Sequence, residues 1–542
     1  MKQLNLFGEL EVEDVSSEEI SHKAESYTGL YALHKYWGKK PYNIMADFIE
    51  KFTKKGDIIL DPFLGSGVSI SEAVFNGRKG LGIDINPSAA FITEQIIKKI
   101  DPKLLTSEFH KIEKEIKDEI NSFYVVQRNR EKFIGQNYLW ENGSLTEVRY
   151  TNGSRSRHIS EPYDSDLELY NSLKKEHLNR FYPQSKFFHN SRINAKGTQN
   201  ISDLFTDRNL YALTLLYDRI CKIENENLRN MFLFCFTSSI GQASKMVFVI
   251  KRRNKTKENG SEIVSEKKEI GSWVIGYWQP NEFFENNVWT CFETRFKKLV
   301  KAKKDQFHIP NQYCSANNFD ELNKSKNYLI VNKPSQHYLK ELPDNSIDFI
   351  LSDPPHGNRI PYLELSMLWN GWLNKEVNYE DEIIVSEAKE RKKTTADYNL
   401  LMNLVINECY RVLKPDKCFS FMFNSLDDDA WCNVVSSFHI SGFDLLSIET
   451  LGYSANSVVQ DNRKNGLQTD FIITYKKPVA VKNNKVLDIV DLMDYPDTVI
   501  EIMTLKNKGY KPFQIINRVL SDFLKQNKFI KISALLKTIE HA

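Results

Sequence analysis

The segment that most restricts the fold of this chain runs IILDPFLGSGVSISEAVFNGRKGLGIDIN, from Ile58 to Asn86. Asp57–Leu60 reads as a short apolar strand that leads straight into a glycine-bearing loop. Ser69–Phe75 reads as a helix, Gly77 ends it, and Gly80–Ile85 reads as a second strand. That order predicts a right-handed parallel βαβ unit. Gly65 and Gly67 allow a tight turn and a close approach to a ligand that a Cβ would obstruct. Asp84 lies 23 residues after Asp61, at the end of the second strand, where a carboxylate can accept both ribose hydroxyls of a nucleotide-like ligand. The loop is GSG and not GxGxxG, so the dinucleotide fingerprint is incomplete, and without GK[ST] a phosphate-cradling P-loop is excluded. The plainer alternative is a tight βα turn with a solvent-facing Asp84.

The α/β rhythm extends to both sides. Ile44, Met45, Phe48, Ile49 and Phe52 have helical spacing. Far downstream, Tyr328–Val331, Ile347–Leu351, Cys418–Phe423, Asp444–Glu449 and Asp470–Tyr475 read as strands, with a helix over Asn399–Leu413. The predicted fold is α/β: a Rossmann-like sheet built from residues 26–100 and 326–478, interrupted by a large, mostly helical insertion at 101–325. The insertion holds expected helices at Leu104–Ile120, Leu204–Ile223 and Leu228–Ile240, and a polar stretch from Asn137 to Asn200. Residues 479–542 read as a small helical domain. Residues 1–25 read as a flexible acidic tail, with seven acids and one lysine between Glu9 and Glu25.

Composition narrows the classes. With 41% hydrophobic and 27% charged residues and a net charge of +2, the chain is not intrinsically disordered. No apolar run approaches the ~18 residues of a membrane span, and the N-terminus turns acidic where a signal peptide needs its apolar stretch. Seven cysteines, none in CxxC spacing, fit a reducing cytoplasm and argue against a disulfide framework or a zinc site, so no metal is expected.

A second motif closes the strand IDFIL: SDPPHG. Asp353 stands where side chains of α/β enzymes reach the ligand crevice. Pro354 and Pro355 fix φ and lack N–H groups, which stiffens the loop and leaves its carbonyls as acceptors. His356 completes the tetrad.

Together, DPFLGSG, GIDIN and DPPH resemble the motifs of S-adenosylmethionine-dependent amino-DNA methyltransferases, the adenine-N6 and cytosine-N4 enzymes. The preceding HKYWGKKPYNIMADFIEKFTKKGD resembles their Lys-Pro segment and helix, ECYRVLKPDKCFSFMF their late helix and strand, and SVVQDNRKNGLQTDFIITYKK their final hairpin. The resemblance implies a methyltransferase sheet with S-adenosyl-L-methionine as cofactor. Asp61, Pro62, Phe63, Gly65, Ser66 and Gly67 would line that cofactor, Asp84 and Asn86 would hold its ribose end, and Lys40 and Pro41 would lie near its methionine carboxylate. For Lys39 and Lys40 the alternative is a solvated pair.

It also implies a catalytic role for Asp353, Pro354, Pro355 and His356. An exocyclic amine is a poor nucleophile because its lone pair is delocalised into the ring. A carboxylate and a carbonyl that accept its two N–H bonds favour a pyramidal nitrogen able to attack the sulfonium methyl. The Asp form of the tetrad is more typical of adenine-N6 enzymes. His356 replaces the usual aromatic and could stack on an extruded base, or serve as a loop histidine bonded to backbone. Where the family often has Gly-Asp after the strand Tyr328–Val331, NKPSQHYL stands, with Ser335 nearby. Two rival readings are an RNA guanine-N2 methyltransferase, which shares DPP-type motifs, and a catalytically silent DNA-binding subunit.

Two features concern partners. Residues 245–304 hold 14 Lys and Arg against 7 Asp and Glu, so the near-neutral total conceals a basic insertion. KRRNKTK (Lys251–Lys257) and RFKKLVKAKK (Arg295–Lys304), with Trp273, Trp278 and Trp289 between them, suit phosphate contact and base stacking. Lys251, Arg252, Arg253 and Lys255 are the expected DNA-binding residues. The alternative is a solvated loop and a charged helix face, with the tryptophans in the core. Gln3–Phe7 (QLNLF) resembles the peptide by which bacterial proteins bind the sliding clamp; such a peptide could instead tuck onto the chain's own surface.

Overall fold

The computed structural model describes residues 22–151, 157–258, 261–310, 312–425, 427–452, 470–480 and 486–541, without the side chains of 22–23, 253–258 and 261–265. The clamp-like Gln3–Phe7 and the first part of the expected final hairpin lie outside the described residues.

An eight-stranded sheet organises the fold. Its strands are β1 (His22–Lys23), β2 (Ile58–Asp61), β3 (Lys79–Ile83), β4 (Tyr328–Val331), β5 (Ile347–Ser352), β6 (Leu413–Phe423), β7 (Asp444–Gly452) and β8 (Asp470–Lys476). They lie in the order β4-β3-β2-β5-β6-β8-β7-β1. All neighbours run parallel except β8, which is antiparallel to both β6 and β7. The strands predicted from the sequence therefore form one α/β sheet. His22 and Lys23, expected in the tail, instead extend its edge beside β7.

The central strands are buried along their whole length, as sheets covered on both faces require. Alternate side chains feed two cores. Ile59, Phe349 and Leu351 join one with helices α1 (Tyr42–Phe52), α2 (Val68–Phe75) and α3 (Pro87–Ile97) and with the insertion. Ile58, Leu60 and Ile350 join the other, which includes helices Thr395–Val412 and Asp428–Ile440 and the C-terminal helices.

The insertion contains helices Pro102–Ser122, Asp207–Cys221, Glu226–Ile240 and Val288–Phe307, and Phe109 stacks on Phe296 with centroids 4.0 Å apart. It also contains a five-stranded antiparallel sheet absent from the sequence expectation. Its strands are Val125–Arg128, Glu131–Glu141, Ser144–Thr151, His158–Ser160 and Glu282–Asn286. KRRNKTK is not a loop: it lies in a strand, Val249–Glu258, paired antiparallel with Ser261–Ile270. The C-terminal helices Pro496–Asn507, Pro512–Lys525 and Ile532–His541 lie within the stretch 479–542 that reads as helical from the sequence. Among the described residues no helix is long and apolar enough to cross a membrane.

Candidate active site

From β2 the chain steps outward to β3 and β4, then returns to the other side of β2 as β5. The order thus reverses between β2 and β5, the position at which open α/β sheets bind ligands beyond their carboxyl ends. Asp61 ends β2, Asp84 follows β3, and Asp353 follows β5. All three line one cavity, together with Lys40, Phe63, Gly65 and Pro355.

Asp61 is an anchor of this floor. Its carboxylate accepts from the Ser69 hydroxyl, from Ser352 Oγ at 2.6 Å and from the Phe63 amide at 3.0 Å, tying the loop to β5 and α2. Burial pushes its pKa up to about 6, against the pull of these donors. Asp84 accepts from the Gly65 amide at 2.7 Å and the Asn86 amide at 2.8 Å. Burial pushes it up to about 7, helped by the charges of Asp61 and Glu382. Such a carboxyl gains from additional donors, which is the chemistry that paired ribose hydroxyls would bring.

Gly65 has φ +52°, and a Cβ there would stand 3.4 Å from the Tyr36 ring, within the mouth of the cavity. Gly67 does something else. It caps α2 in the left-handed region at φ +71°, and a Cβ would fall 2.1 Å from Thr93 Oγ1 of α3. Its smallness lets two helices meet, and it does not line the cavity. Asn86 lines the cavity but is already committed: its Oδ1 caps α3 at Ser88 N, and its Nδ2 donates to Ser366 Oγ at 2.8 Å and Tyr36 Oη at 3.2 Å. Pro62 and Ser66 line the wall, whereas Pro41, which caps α1, does not.

At the tetrad, Lys40 Nζ lies 3.1 Å from Asp353 Oδ1 and 2.7 Å from Asp470 Oδ2, bridging two carboxylates from opposite parts of the sheet. Asp470 opens the reversed strand β8, and its Oδ1 accepts from Asn424 at 3.0 Å. Burial would raise this carboxyl, but Lys40, Arg359 and His356 hold it far below the usual carboxylate range. His356 Nε2 lies 3.3 Å from Asp353 Oδ1 and 3.2 Å from the Met422 carbonyl, and its ring meets Phe423 edge-on. The backbone-bonded alternative read from the sequence describes that arrangement. Tyr398 donates to the Pro355 carbonyl at 2.6 Å and fixes the loop from below. Asp353 and Pro355 line the cavity; Pro354 and His356 stand behind it.

Several lining residues were not singled out from the sequence: Tyr36, Trp37, Gly38, Tyr362 and Glu382. Tyr36 stacks near Tyr362, with centroids 6.1 Å apart. A Cβ on Gly38 (φ +70°) would fall 2.9 Å from Tyr362 Oη. Ser335, at the place of the family's Gly-Asp, donates to the Pro62 carbonyl and closes the wall.

The expected DNA-binding cations lie elsewhere. Lys251 pairs with Glu282 at 2.8 Å and Arg252 with Glu269 at 2.8 Å. The side chains of Arg253 and Lys255 lie outside the described residues. Lys303, in the second basic run, is buried and donates to carbonyls of Gln95 and Lys98 at the end of α3. Trp273 and Trp289 are buried, whereas Trp278 is exposed.

Known proteins share these features. Residues 8–95 match the model of a DNA methylase family, the N6/N4 type. The chain is 22% identical over 373 residues to the type II methyltransferase M.MjaII of Methanocaldococcus jannaschii, covering 65% of this chain and 63% of that protein. It is 37% identical over 84 residues to the type II methyltransferase M2.DpnII of Streptococcus pneumoniae, covering 16% of this chain and 29% of that one. It is 34% identical over 89 residues to M2.LlaDCHI of Lactococcus lactis, covering 16% and 31%. The chain thus spans less than two thirds of each of these relatives. The sheet and its switch-point cavity define an open α/β fold with a ligand crevice beyond its strand ends. In sequence the chain is similar, over parts of its length, to amino-DNA methyltransferases.

Proposed function

We propose that the chain is an S-adenosyl-L-methionine-dependent DNA methyltransferase that modifies an exocyclic base amine. Adenine N6 is favoured over cytosine N4, in a restriction–modification or defence setting in the prokaryotic cytoplasm. The observation that carries this reading is the convergence of Asp61, Asp84 and Asp353 on one cavity at the switch point, with Pro355 at its edge. The desolvated Asp84 suits paired hydroxyl donors. The Asp form of the tetrad supports adenine.

The cofactor, when bound, supplies an electrophilic methyl on sulfur. Asp84 would hold its ribose, and Phe63 and the Gly65 backbone would flank it. Asp353 would accept one amine N–H, and the Pro354 carbonyl, which is not part of the ligand-free cavity wall, would have to turn towards the base to accept the other. These contacts localise the nitrogen lone pair and aim it, which accelerates attack without a covalent enzyme intermediate. The base must leave its duplex to reach Asp353. The methyl would pass from the cofactor's sulfonium, which would keep the bonding electrons, to that nitrogen; Asp353 or solvent would take the surplus amine proton.

Asp353→Ala tests the assignment. Methyl transfer to DNA should fall at least ~100-fold while cofactor binding by calorimetry persists. Full activity in the variant refutes the mechanism. Long-read sequencing of DNA from cells expressing the chain reports the modified base and its context. Transfer to RNA and not to DNA favours the guanine-N2 alternative.

A further inference from the structure

Lys39 and Lys40 are consecutive, yet they serve different cavities. Lys40 lines the active-site cavity and pairs with Asp353. Lys39 lines a second cavity, which Lys40 does not line. Tyr36 forms part of both walls.

The second cavity has an unusual charge balance. Lys35 and Lys39 enter it from the N-terminal segment, and Arg295 enters from helix Val288–Phe307. Among the described residues no Asp or Glu lines it. The hydrogen bonds of the two lysines go to neutral carbonyls: Lys35 Nζ to Trp273 at 2.6 Å, and Lys39 Nζ to Tyr31 at 2.8 Å and His34 at 2.9 Å. Lys35 lies 4.8 Å from the Trp273 ring centroid and Lys39 5.6 Å from that of Tyr27. Carbonyls and ring faces orient an ammonium group without cancelling its charge. Burial, then the Arg295 charge, pushes Lys35 down to about 8, and burial does the same to Lys39.

The contrast with the other cations is informative. Lys251, Arg252, Lys268 and Lys297 are each neutralised by a glutamate. At the second cavity, like charges from two separate elements gather, and among the described residues none is paired by a lining acid. Such a cleft focuses positive potential and favours an anion that spans it.

We propose that this cleft binds backbone phosphates of the duplex beside the nucleotide whose base enters the Asp353 cavity. The proposal rests on the methyltransferase reading for its choice of anion. The shared Tyr36 wall and the Lys39–Lys40 step place phosphate and base positions on adjacent sides of one strap. Ser272, exposed at the rim, adds a hydroxyl donor.

The test is fluorescence anisotropy of a labelled DNA duplex with the full chain over a series of salt concentrations. The variants are Lys35→Gln, Arg295→Gln and their combination, with Lys251→Gln/Arg252→Gln for comparison. Each lost phosphate contact should reduce the slope of log Kd against log salt by about 0.9. The double variant should therefore lose nearly two units of slope and bind about 10- to 100-fold more weakly near 0.1 M salt, and the hairpin pair should change both less. Should Lys35→Gln fail to fold, Arg295→Gln decides alone: it removes a repulsion, so its thermal midpoint should not fall. An unchanged slope in Arg295→Gln and the double variant overturns the proposal, as does a wild-type chain that binds no DNA. Methyl transfer is measured separately. Cleft-dependent binding without transfer refutes the enzymatic reading and leaves the cleft standing.

Discussion

Asp470→Asn probes how the lysine bridge controls Asp353. Lys40 Nζ is shared between Asp470 Oδ2 at 2.7 Å and Asp353 Oδ1 at 3.1 Å, and both ends of the stronger pair are buried. A unit pair at that separation is worth about 6 kcal/mol at an effective dielectric of ~20. Removing one partner of a buried pair typically costs about 3–5 kcal/mol. Asparagine keeps the volume and an oxygen towards Lys40, and Asp353 remains as a partner, so the expected loss is about 2–3 kcal/mol. Urea denaturation at neutral pH measures it. The sign with pH follows from the depressed Asp470 carboxyl. Its stabilisation is fully present above the unfolded pKa of ~3.9 and is lost as pH falls through the lower folded value. The gap between wild type and variant should therefore close in strong acid. With Asp470 neutral, Lys40 turns wholly to Asp353 and occupies an oxygen needed by the amine. The kcat should drop about tenfold, equivalent to ~1.4 kcal/mol, with a smaller change in cofactor affinity. A double-mutant cycle with Lys40→Met should show coupling of at least ~1 kcal/mol. Stability and kcat both at wild-type levels, or no coupling, would refute the bridge as a control on Asp353.

Two further outcomes follow from the loop. Burial raises Asp84 to about 7 in the ligand-free site. Its ionisation therefore costs stability as pH rises from ~4 to about 7, and a ligand that donates hydroxyls to the carboxylate should bind more tightly over the same rise. Calorimetric cofactor affinity should climb towards pH 7 and level off above it, and Asp84→Asn should weaken binding and flatten the profile; a pH-independent wild-type affinity contradicts this. Gly67→Ala combines left-handed backbone with a contact at 2.1 Å on Thr93 Oγ1, and should destabilise the chain by about 2–4 kcal/mol. Adding Thr93→Ala should recover only the steric part, leaving about 1 kcal/mol of backbone strain, and full recovery would show that φ is not restrictive there.

The residues that were legible share one property: each reports its surroundings locally. Asp61, Asp84 and Asp353 follow apolar strands, and in a parallel sheet all such strand ends point to the same edge, so three separate motifs had to meet. Asp470 carried no such signal. Its partner Lys40 is 430 residues away, and only the reversal of β8 brings the two together. The sheet over residues 125–160 was hidden because its strands are short or polar and bury their faces irregularly. Gly67 was legible as a turn but not as a helix contact, because Thr93 belongs to the next helix.

Charge was the least legible quantity, for a physical reason. A count of lysines and arginines measures supply, whereas potential depends on what each cation faces. The basic insertion holds the surplus, yet two of its KRRNKTK cations face glutamates, and Lys303 caps a helix. In the second cavity, two of three cations, Lys35 and Lys39, come from the segment LHKYWGKK, which is itself basic but lies outside the basic insertion. Its third, Arg295, does belong to a basic run, and it lines the cavity while the adjacent Lys297 and Lys298 are exposed. On the proposed reading, a nucleic-acid surface would be marked by cations that lack acids opposite them among the described residues, and Lys39 stands one residue from the lysine that pairs with Asp353.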